Sequence, residues 1–512
     1  MSLNLATMLA ETSKRKPDHT ALIFDDFKMT YRQLDTASNQ FANALVNAGI
    51  TPGQKVALML PNIPQFVICF YGIAKAGATV VPLNVLLKAP EIAYHLEDSD
   101  AVMLIVWEGF AAQAVSAYQQ TETCHQLVIV NAPGSKVVPG VEGATSLAAM
   151  MVNTPSTFEM VATMPDDTAV ILYTSGTTGK PKGAELSHFN LFFNARTSAD
   201  SLGIDWHDDD VGLVALPLFH SFGISSVMNV LITVGATLTL MARFEPVKAF
   251  ELIQRDRVTT FAGVPTMYIY LLNHPDRKQY DLSSLRTCIS GGAANPVEVL
   301  QAWKKEFGIT ILEGYGLSET SPTASFNVLF KPAKPGTVGL PVYGVEMKVF
   351  DANDQEVPVG EVGEIVIRGH NVMKGYYKQP EATAEAIRNG WFHSGDIGKM
   401  DEDGYFSIVD RKKDMIIRGG FNVYPREIEE VLYEHPDISE VAVVGVPDTN
   451  LGEEVKAFVY LKPGAAASEE DIRTFCKERV AAYKYPRTIQ FTDAPLPKNA
   501  TGKILKRELR TM

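Results

Sequence analysis

Residues 173–183 read Tyr173-Thr174-Ser175-Gly176-Thr177-Thr178-Gly179-Lys180-Pro181-Lys182-Gly183, and the run just before them, Ala169-Val170-Ile171-Leu172, is apolar and strand-like. A strand that opens into such a stretch leaves a chain few options. Glycines let a backbone turn sharply and bring its N–H groups against an anion. Thr174, Ser175, Thr177 and Thr178 offer hydroxyl donors to phosphate oxygens, and Lys180 and Lys182 offer positive charge. The combination suits a polyphosphate such as ATP. It is not a Walker A loop, because the glycines stand too close together and Pro181 occupies the place of the Ser or Thr that would bind magnesium and open a helix. The competing reading is a solvated Gly/Thr turn.

With 512 residues the chain exceeds one ordinary core, so two or more domains are expected. An apolar fraction of 46% is that of a globular protein. The net charge of −13 argues against nucleic acid as the main partner, since phosphate backbones need basic faces. It leaves room for ATP or CoA, whose sites need only local positive charge. Cys69, Cys124, Cys288 and Cys476 are widely spaced, which suggests neither a zinc site nor a disulfide framework and fits a reducing cytoplasm. Residues 1–6 lack the basic and long apolar segments of a signal peptide and read as a first amphipathic helix. Ile224 to Ala242 carries no charge, but Gly235 breaks it and Thr237–Leu240 alternates, so the segment reads as a buried helix, turn and strand rather than a membrane span. Loose attachment to a membrane surface stays open.

The first 150 residues alternate helix and strand patterns. Leu34, Phe41, Leu45 and Ala48 share a helical face closed by Gly49, and Ile63 to Lys75 reads as a helix between strands at 56–60 and 78–82. Such alternation predicts α/β layers with parallel strands. Residues 131–146 read as a surface loop, and α/β patterning continues from about 168 to 325. From Gly336 to Asp410 short strands separated by glycines predict a small β-rich subdomain, with strands at 336–339, 345–350 and 363–368. Arg411-Lys412-Lys413-Asp414 is a charged run that reads as a hinge. Beyond it, a helix with Ile428, Val431 and Leu432 on one face, strands at 441–446 and 456–461, and a helix from Glu469 predict a small α+β domain. The expected fold class is therefore α/β, with a large domain over 1–410, a hinge over 411–414 and a C-terminal domain over 415–512.

Other motifs follow in order: Leu216-Pro217-Leu218-Phe219-His220-Ser221-Phe222-Gly223, Ser290-Gly291-Gly292-Ala293, Glu313-Gly314-Tyr315-Gly316-Leu317-Ser318-Glu319-Thr320, and Trp391-Phe392-His393-Ser394-Gly395-Asp396. The series closes with Asp410-Arg411-Lys412-Lys413 and Pro497-Lys498-Asn499-Ala500-Thr501-Gly502-Lys503-Ile504. With the 173–183 loop, this set resembles the adenylate-forming superfamily in its acyl-CoA synthetase branch, over about residues 15–510. The resemblance implies a two-step reaction. A carboxylate oxygen attacks the α-phosphate of ATP to give an acyl-adenylate and pyrophosphate, and the CoA thiol then displaces AMP. Positioned cations stabilise the charge that builds in the first step.

By that resemblance Lys503 is the catalytic residue that bridges carboxylate and α-phosphate from a mobile C-terminal domain. Thr174 and Glu319 would hold Mg2+, an ion that prefers hard oxygens and takes few of them from protein. Ser175, Gly176, Thr177, Thr178, Lys182, Ser318 and Glu313 to Gly316 would meet the nucleotide. Gly291, Gly292, Ala293 and Tyr315 would form the adenine slot, and Asp396 and Arg411 would take the ribose or phosphate. Ser318 stands where the family usually has Thr, which keeps the hydroxyl with a less constrained geometry. Lys413 matches the hinge residue about which the small domain turns, replacing Lys503 by the Arg418-Gly419-Gly420-Phe421 loop at the CoA channel.

His220 matches the wall of the acid pocket, in a positioning role. The pocket segments 222–228 and 260–267, with Gly292 and Gly316, offer Ile224, Val227, Met228, Phe261, Val264 and Met267, and no Lys or Arg to match a second carboxylate. A medium- or long-chain fatty acid is the first expectation and an aryl acid such as coumarate the second. CoA is the expected acceptor, since the chain stops nine residues after Lys503 with no carrier domain. The alternatives are an acyl-AMP ligase that loads a separate carrier protein and a non-enzymatic nucleotide-binding regulator. The resemblance also implies a homodimer.

Overall fold

The computed structural model describes residues 2–174, 180–449 and 451–512. Two large sheets form the body of the molecule. In one, eight strands run in the order Gly375–Tyr376, Lys182–Ser187, Thr168–Thr174, Thr79–Pro82, Lys55–Met59, Ala101–Trp107, Gln126–Val130 and Ala144–Ser146. In the other, nine strands include the parallel set Thr237–Leu240, Val211–Val214, Thr260–Gly263, Thr287–Ser290 and Ile311–Gly316. In the first sheet, inner strands such as Ala101–Trp107 read as near-continuous apolar runs, as expected of parallel strands covered on both faces. Between the sheets lie the helices Tyr31–Asn47, Pro64–Lys75 and Val230–Val234. Leu34, Phe41 and Leu45 are fully buried there, as the spacing predicts. Thr30 caps the first of them: its hydroxyl accepts from the Gln33 N–H at 3.3 Å, and the Gln33 side chain accepts from the Thr30 N–H at 2.8 Å.

The uncharged segment 224–242 folds as a π-helix Phe222–Asn229, the helix Val230–Val234, a left-handed Gly235 and the strand Thr237–Leu240. Among the described residues no helix is long and apolar enough to cross a membrane.

Several boundaries differ from the sequence expectation. Residues 2–6 are not helical, and the first helix is Thr7–Arg15. Asn4 holds this segment out of the helix by donating to the Ala74 carbonyl at 2.7 Å and accepting from the Ala6 N–H at 2.9 Å. The 131–146 loop ends in a short parallel edge strand, Ala144–Ser146. Residues 336–339 form no strand of the small sheet, because Gly336 and Gly339 take positive φ values of 79° and 83°. Leu340–Pro341 instead extends the nine-stranded sheet. Gly375–Tyr376 also leaves the 336–410 region, pairing with Lys182–Ser187. What remains is an antiparallel sheet of Val345–Phe350, Gly363–Gly369, Trp391–Met400, Ile387–Arg388 and Phe406–Arg411.

Arg411 is the last residue of a strand, and the turn that follows covers 412–414. A further five-stranded sheet then begins at Ile416–Arg418, with Phe421–Val423, Gly452–Leu461, Ile438–Asp448 and Thr488–Phe491. Ile428 and Leu432 of the helix Pro425–Tyr433 are buried against it. The largest apolar cluster draws on residues from Leu5 to Ile408, whereas the clusters of this last sheet begin at Ile416. Among the described residues no apolar cluster contains members from both sides of the 412–415 crossing.

Candidate active site

Thr174, His220, Gly291 to Ala293 and Ser318–Glu319 stand at or after the C-terminal ends of strands of the two large sheets, where open α/β sheets offer a crevice, whereas Asp396 and Arg411 lie on the antiparallel sheet. Thr174 ends its strand directly opposite Lys182, so the phosphate-loop string is bracketed by an antiparallel pair. Ser175, Gly176, Thr177 and Thr178 lie outside the described residues. The Lys182 ammonium sits 5.1 Å from the centre of the Tyr376 ring, and the Tyr376 hydroxyl donates to Glu319 Oε1 at 3.0 Å. Tyr376 thus ties the two predicted metal-binding segments together. Sequence reasoning missed it, since a two-residue strand carries no periodicity.

Glu319 lies in the short 3₁₀ turn Ser318–Thr320 and is buried. Gly316 makes that turn possible, because a Cβ there would overlap the Pro322 carbonyl. The Ser318 hydroxyl lies 3.3 Å from that of Ser221, linking this turn to the His220 segment. Among the described residues no group of three or more His, Cys, Asp or Glu side chains could hold a metal. One carboxylate with a neighbouring hydroxyl is a donor set suited to Mg2+ shared with phosphates rather than to a metal held by protein alone.

Asp396 and Arg411 face each other on paired strands. The Tyr315 hydroxyl donates to Asp396 Oδ2 at 2.7 Å, and Arg411 Nε stands 3.3 Å from Oδ1. Asp396 is buried, so both contacts fix it. Gly291 packs under the Phe222 ring and the Gly314 carbonyl, each 3.2 Å from where its Cβ would be, while Gly292 and Ala293 are exposed. The Glu313 carboxyl is turned to Asn295, whose backbone and side-chain N–H groups lie at 3.3 and 3.4 Å, and burial pushes it up to about 7.

His220 is partly buried at the head of the π-helix, and its Nδ1 accepts from the Phe222 N–H at 3.4 Å. Burial, reinforced by the Lys503 charge, pushes its pKa down to about 4, so the ring is neutral at pH 7. Ile224, Val227, Met228, Val264 and Met267 are buried as an apolar set behind it. Val264 lies between Gly292 and Gly502: its methyl groups would be 3.6 and 3.0 Å from a Cβ at those positions.

The residue-503 loop is held in shape by Asn499. Its Oδ1 accepts from the Thr501 and Lys503 N–H groups at 3.0 and 2.9 Å, and its own N–H donates to the Lys503 carbonyl at 2.9 Å. Burial is the main cause that lowers the Lys503 ammonium to about 8. Arg411 lowers it further, while Asp396 and Asp414 oppose the shift. Next to Lys503, the Gly502 carbonyl accepts from Thr266 Oγ1 at 3.1 Å, so this loop meets residues from the other side of the crossing.

Lys413 is exposed in the 412–414 turn. Gly419 and Gly420 take φ values of 57° and 84° at the tip of the hairpin formed by Ile416–Arg418 and Phe421–Val423. The Gly419 N–H bonds the Leu451 carbonyl at 2.8 Å, and Phe421 stacks on Tyr483 at 4.7 Å. This tip therefore packs within its own region.

Comparison with known proteins agrees with the geometry. A family model described as AMP-binding enzyme matches residues 9–377, and one described as AMP-binding enzyme C-terminal domain matches 427–503. A long-chain-fatty-acid–CoA ligase of Bacillus subtilis (strain 168) is 39% identical, covering 99% of this chain and 94% of that protein. A feruloyl-CoA synthase of an Amycolatopsis species is 37% identical over 97% of this chain and 96% of its own. The crystal structure of the anthranilate CoA ligase AuaEII in complex with anthranoyl-AMP superposes with a TM-score of 0.93 at 33% identity, covering 100% of this chain and 97% of that one. With both family models matched in order and relatives aligned along nearly its whole length, the chain belongs to the AMP-binding enzyme family.

Proposed function

We propose that this ATP-dependent, AMP-forming acid–CoA ligase takes a medium- or long-chain fatty acid. The observation that supports the reading is the seating of the residue-503 loop across the crossing, where the Gly502 carbonyl accepts from Thr266 Oγ1 at 3.1 Å and Gly502 abuts Val264 of the acid-pocket wall. An ammonium there can bridge the acid's carboxylate and the α-phosphate, neutralising the repulsion between two anions. The carboxylate oxygen bonds to the α-phosphorus, the bond to the bridging oxygen breaks, and pyrophosphate leaves. Neutral His220 orients the acid and moves no proton. Asp396, held by Tyr315 and Arg411, accepts from the ribose hydroxyls, and Gly291, Gly292, Ala293 and Gly314 leave space for the adenine.

Ser175, Gly176, Thr177, Thr178, Lys182 and Ser318 contact the phosphates. Thr174 and Glu319 would hold Mg2+, which supplies charge neutralisation to the phosphates when bound. In this reading residues 1–410 hold ATP and acid, 411–414 hinge about Lys413, and 415–512 then turn to bring Gly419, Gly420 and Phe421 to CoA. It extends to a cytoplasmic homodimer, for which light scattering gives the mass.

The apolar, cation-free set Ile224, Val227, Met228, Val264 and Met267 supports an alkyl chain, as does the fatty-acid ligase among the relatives. An aryl acid is favoured by the Phe222 ring edge packed 3.2 Å from where a Cβ of Gly291 would be, and by the feruloyl and anthranilate enzymes. Pyrophosphate release and loss of free CoA thiol, followed across acids from acetate to stearate and with coumarate and benzoate, decide between them. The fatty-acid reading expects the highest kcat/KM for medium or long alkyl chains. Activity confined to aryl acids overturns it, and pyrophosphate release without thiol consumption replaces CoA by another acceptor.

A pH dependence follows. The ammonium form of Lys503 is required, and in the free enzyme it is lost as pH rises through about 8. kcat/KM for ATP should therefore fall about tenfold per unit above that value. The negative charge of bound ATP favours the ammonium, so kcat should hold to higher pH. His220, already neutral above about 4, adds no second limb near neutrality.

A further inference from the structure

Of the three hydroxyl side chains on the helix Pro265–Asn273, Tyr268 bonds the Phe261 and Ile289 carbonyls, while Thr266 and Tyr270 lie one turn apart. Both reach across to the C-terminal part of the chain. Thr266 Oγ1 donates to the Gly502 carbonyl at 3.1 Å, next to Lys503. The Tyr270 hydroxyl accepts from the Lys498 ammonium at 3.1 Å and donates to Glu440 Oε1 at 3.1 Å. Lys498 itself bonds the two Glu440 oxygens at 2.9 and 2.7 Å, and Oε2 also accepts from the Leu496 N–H at 3.0 Å. Glu440 is 1% exposed, so this pair is the buried polar centre of its region.

Lys498 and Gly502 stand at the two ends of the loop closed by Asn499, and Lys498 bridges Ile504 across its base. Residues i and i+4 share a helix face. One face of this helix therefore grips the Lys503 loop at both ends, and the same helix starts at Val264 in the acid-pocket wall.

We propose that this face is the dock that selects the adenylate-forming orientation, with Tyr270 as a positioning residue. The proposal rests on the function proposed above and deepens it. Lys498 and Glu440 are already paired within their own region, so the cross-contact needs no net charge. It needs a group that accepts from an ammonium and donates to a carboxylate at once, and a phenol does both. Because that bond exists in only one orientation of the turn, its whole worth biases the equilibrium toward that orientation. Tyr270 touches no substrate and acts only through where it holds Lys503.

The test is Tyr270→Phe in the full chain, which removes one oxygen and keeps the ring. Acid-dependent pyrophosphate release should fall about tenfold, the loss of one charge-assisted hydrogen bond. Thioester formation from supplied acyl-adenylate and CoA should be unchanged or faster, and the unfolding midpoint should move by less than about 2 °C. Without ligands, the amides of residues 499–503 should exchange hydrogen faster than in the parent. Equal losses in both half-reactions, or undiminished pyrophosphate release, overturn the proposal. Should the parent itself release no pyrophosphate with any acid, the functional reading fails on its own. The exchange comparison then decides the dock: faster exchange upholds it and unchanged exchange overturns it.

Discussion

Replacing Lys503 with alanine is expected to slow acyl-adenylate formation by about 10²–10³-fold. Thioester formation from supplied acyl-adenylate should stay within about twofold of the parent. The asymmetry comes from where the ammonium sits. The side chain is partly buried, and burial together with the Arg411 charge depresses it to about 8, so it stays charged at neutral pH only at a cost that bound phosphate removes. The loop should survive the change, because Asn499 is bonded to the backbone of residue 503 rather than to its side chain. Arginine should not restore the rate, since a planar fork cannot bridge two anions from the place of a compact ammonium. The check is to measure each half-reaction separately, with circular dichroism to confirm the fold. Equal loss in both steps would show that Lys503 does not divide its role between them.

The second large effect is expected at Glu319. Glu319→Gln keeps the shape of the side chain and can still accept from the Tyr376 hydroxyl, which stands at 3.0 Å, so the local structure should hold. What is lost is the charge. Pyrophosphate release should drop by about 10²-fold, with the Mg2+ concentration for half-maximal activity rising. A magnesium titration of parent and variant separates the possibilities. A lower rate at unchanged Mg2+ requirement would make Glu319 a support for Tyr376 and Lys182 instead of a metal ligand.

The sequence carried the long periodic elements well, because amphipathic helices such as Tyr31–Asn47 and apolar strands such as Lys55–Met59 need only local pattern. Pairings between distant short segments were illegible. Gly375–Tyr376 joins Lys182–Ser187 through two residues, too few for any alternation to register, so Tyr376 went unnoticed at the centre of the site. Residues 336–339 were misread as a strand because Val338 and its neighbours have the right composition, whereas two left-handed glycines decide the path. Motif order singled out Asp396, Arg411 and Tyr315, which the structure joins by direct contacts. It could not show that the Glu313 side chain is spent on Asn295, or that Thr266 and Tyr270 meet the loop around Lys503. Those facts depend on how two separately packed regions come together, which no local pattern encodes.

The split of the hydrophobic interior at residues 412–415 bears on how turnover can repeat. The direct bonds named across the joint are hydrogen bonds, from Thr266 and Tyr270 to Gly502, Lys498 and Glu440, so parting the two bodies exchanges these polar partners for water. Such a parting should carry almost no heat-capacity change. The turn proposed for residues 415–512 would then swing one body against the other in each cycle without softening either, a hinge motion and not a partial melting.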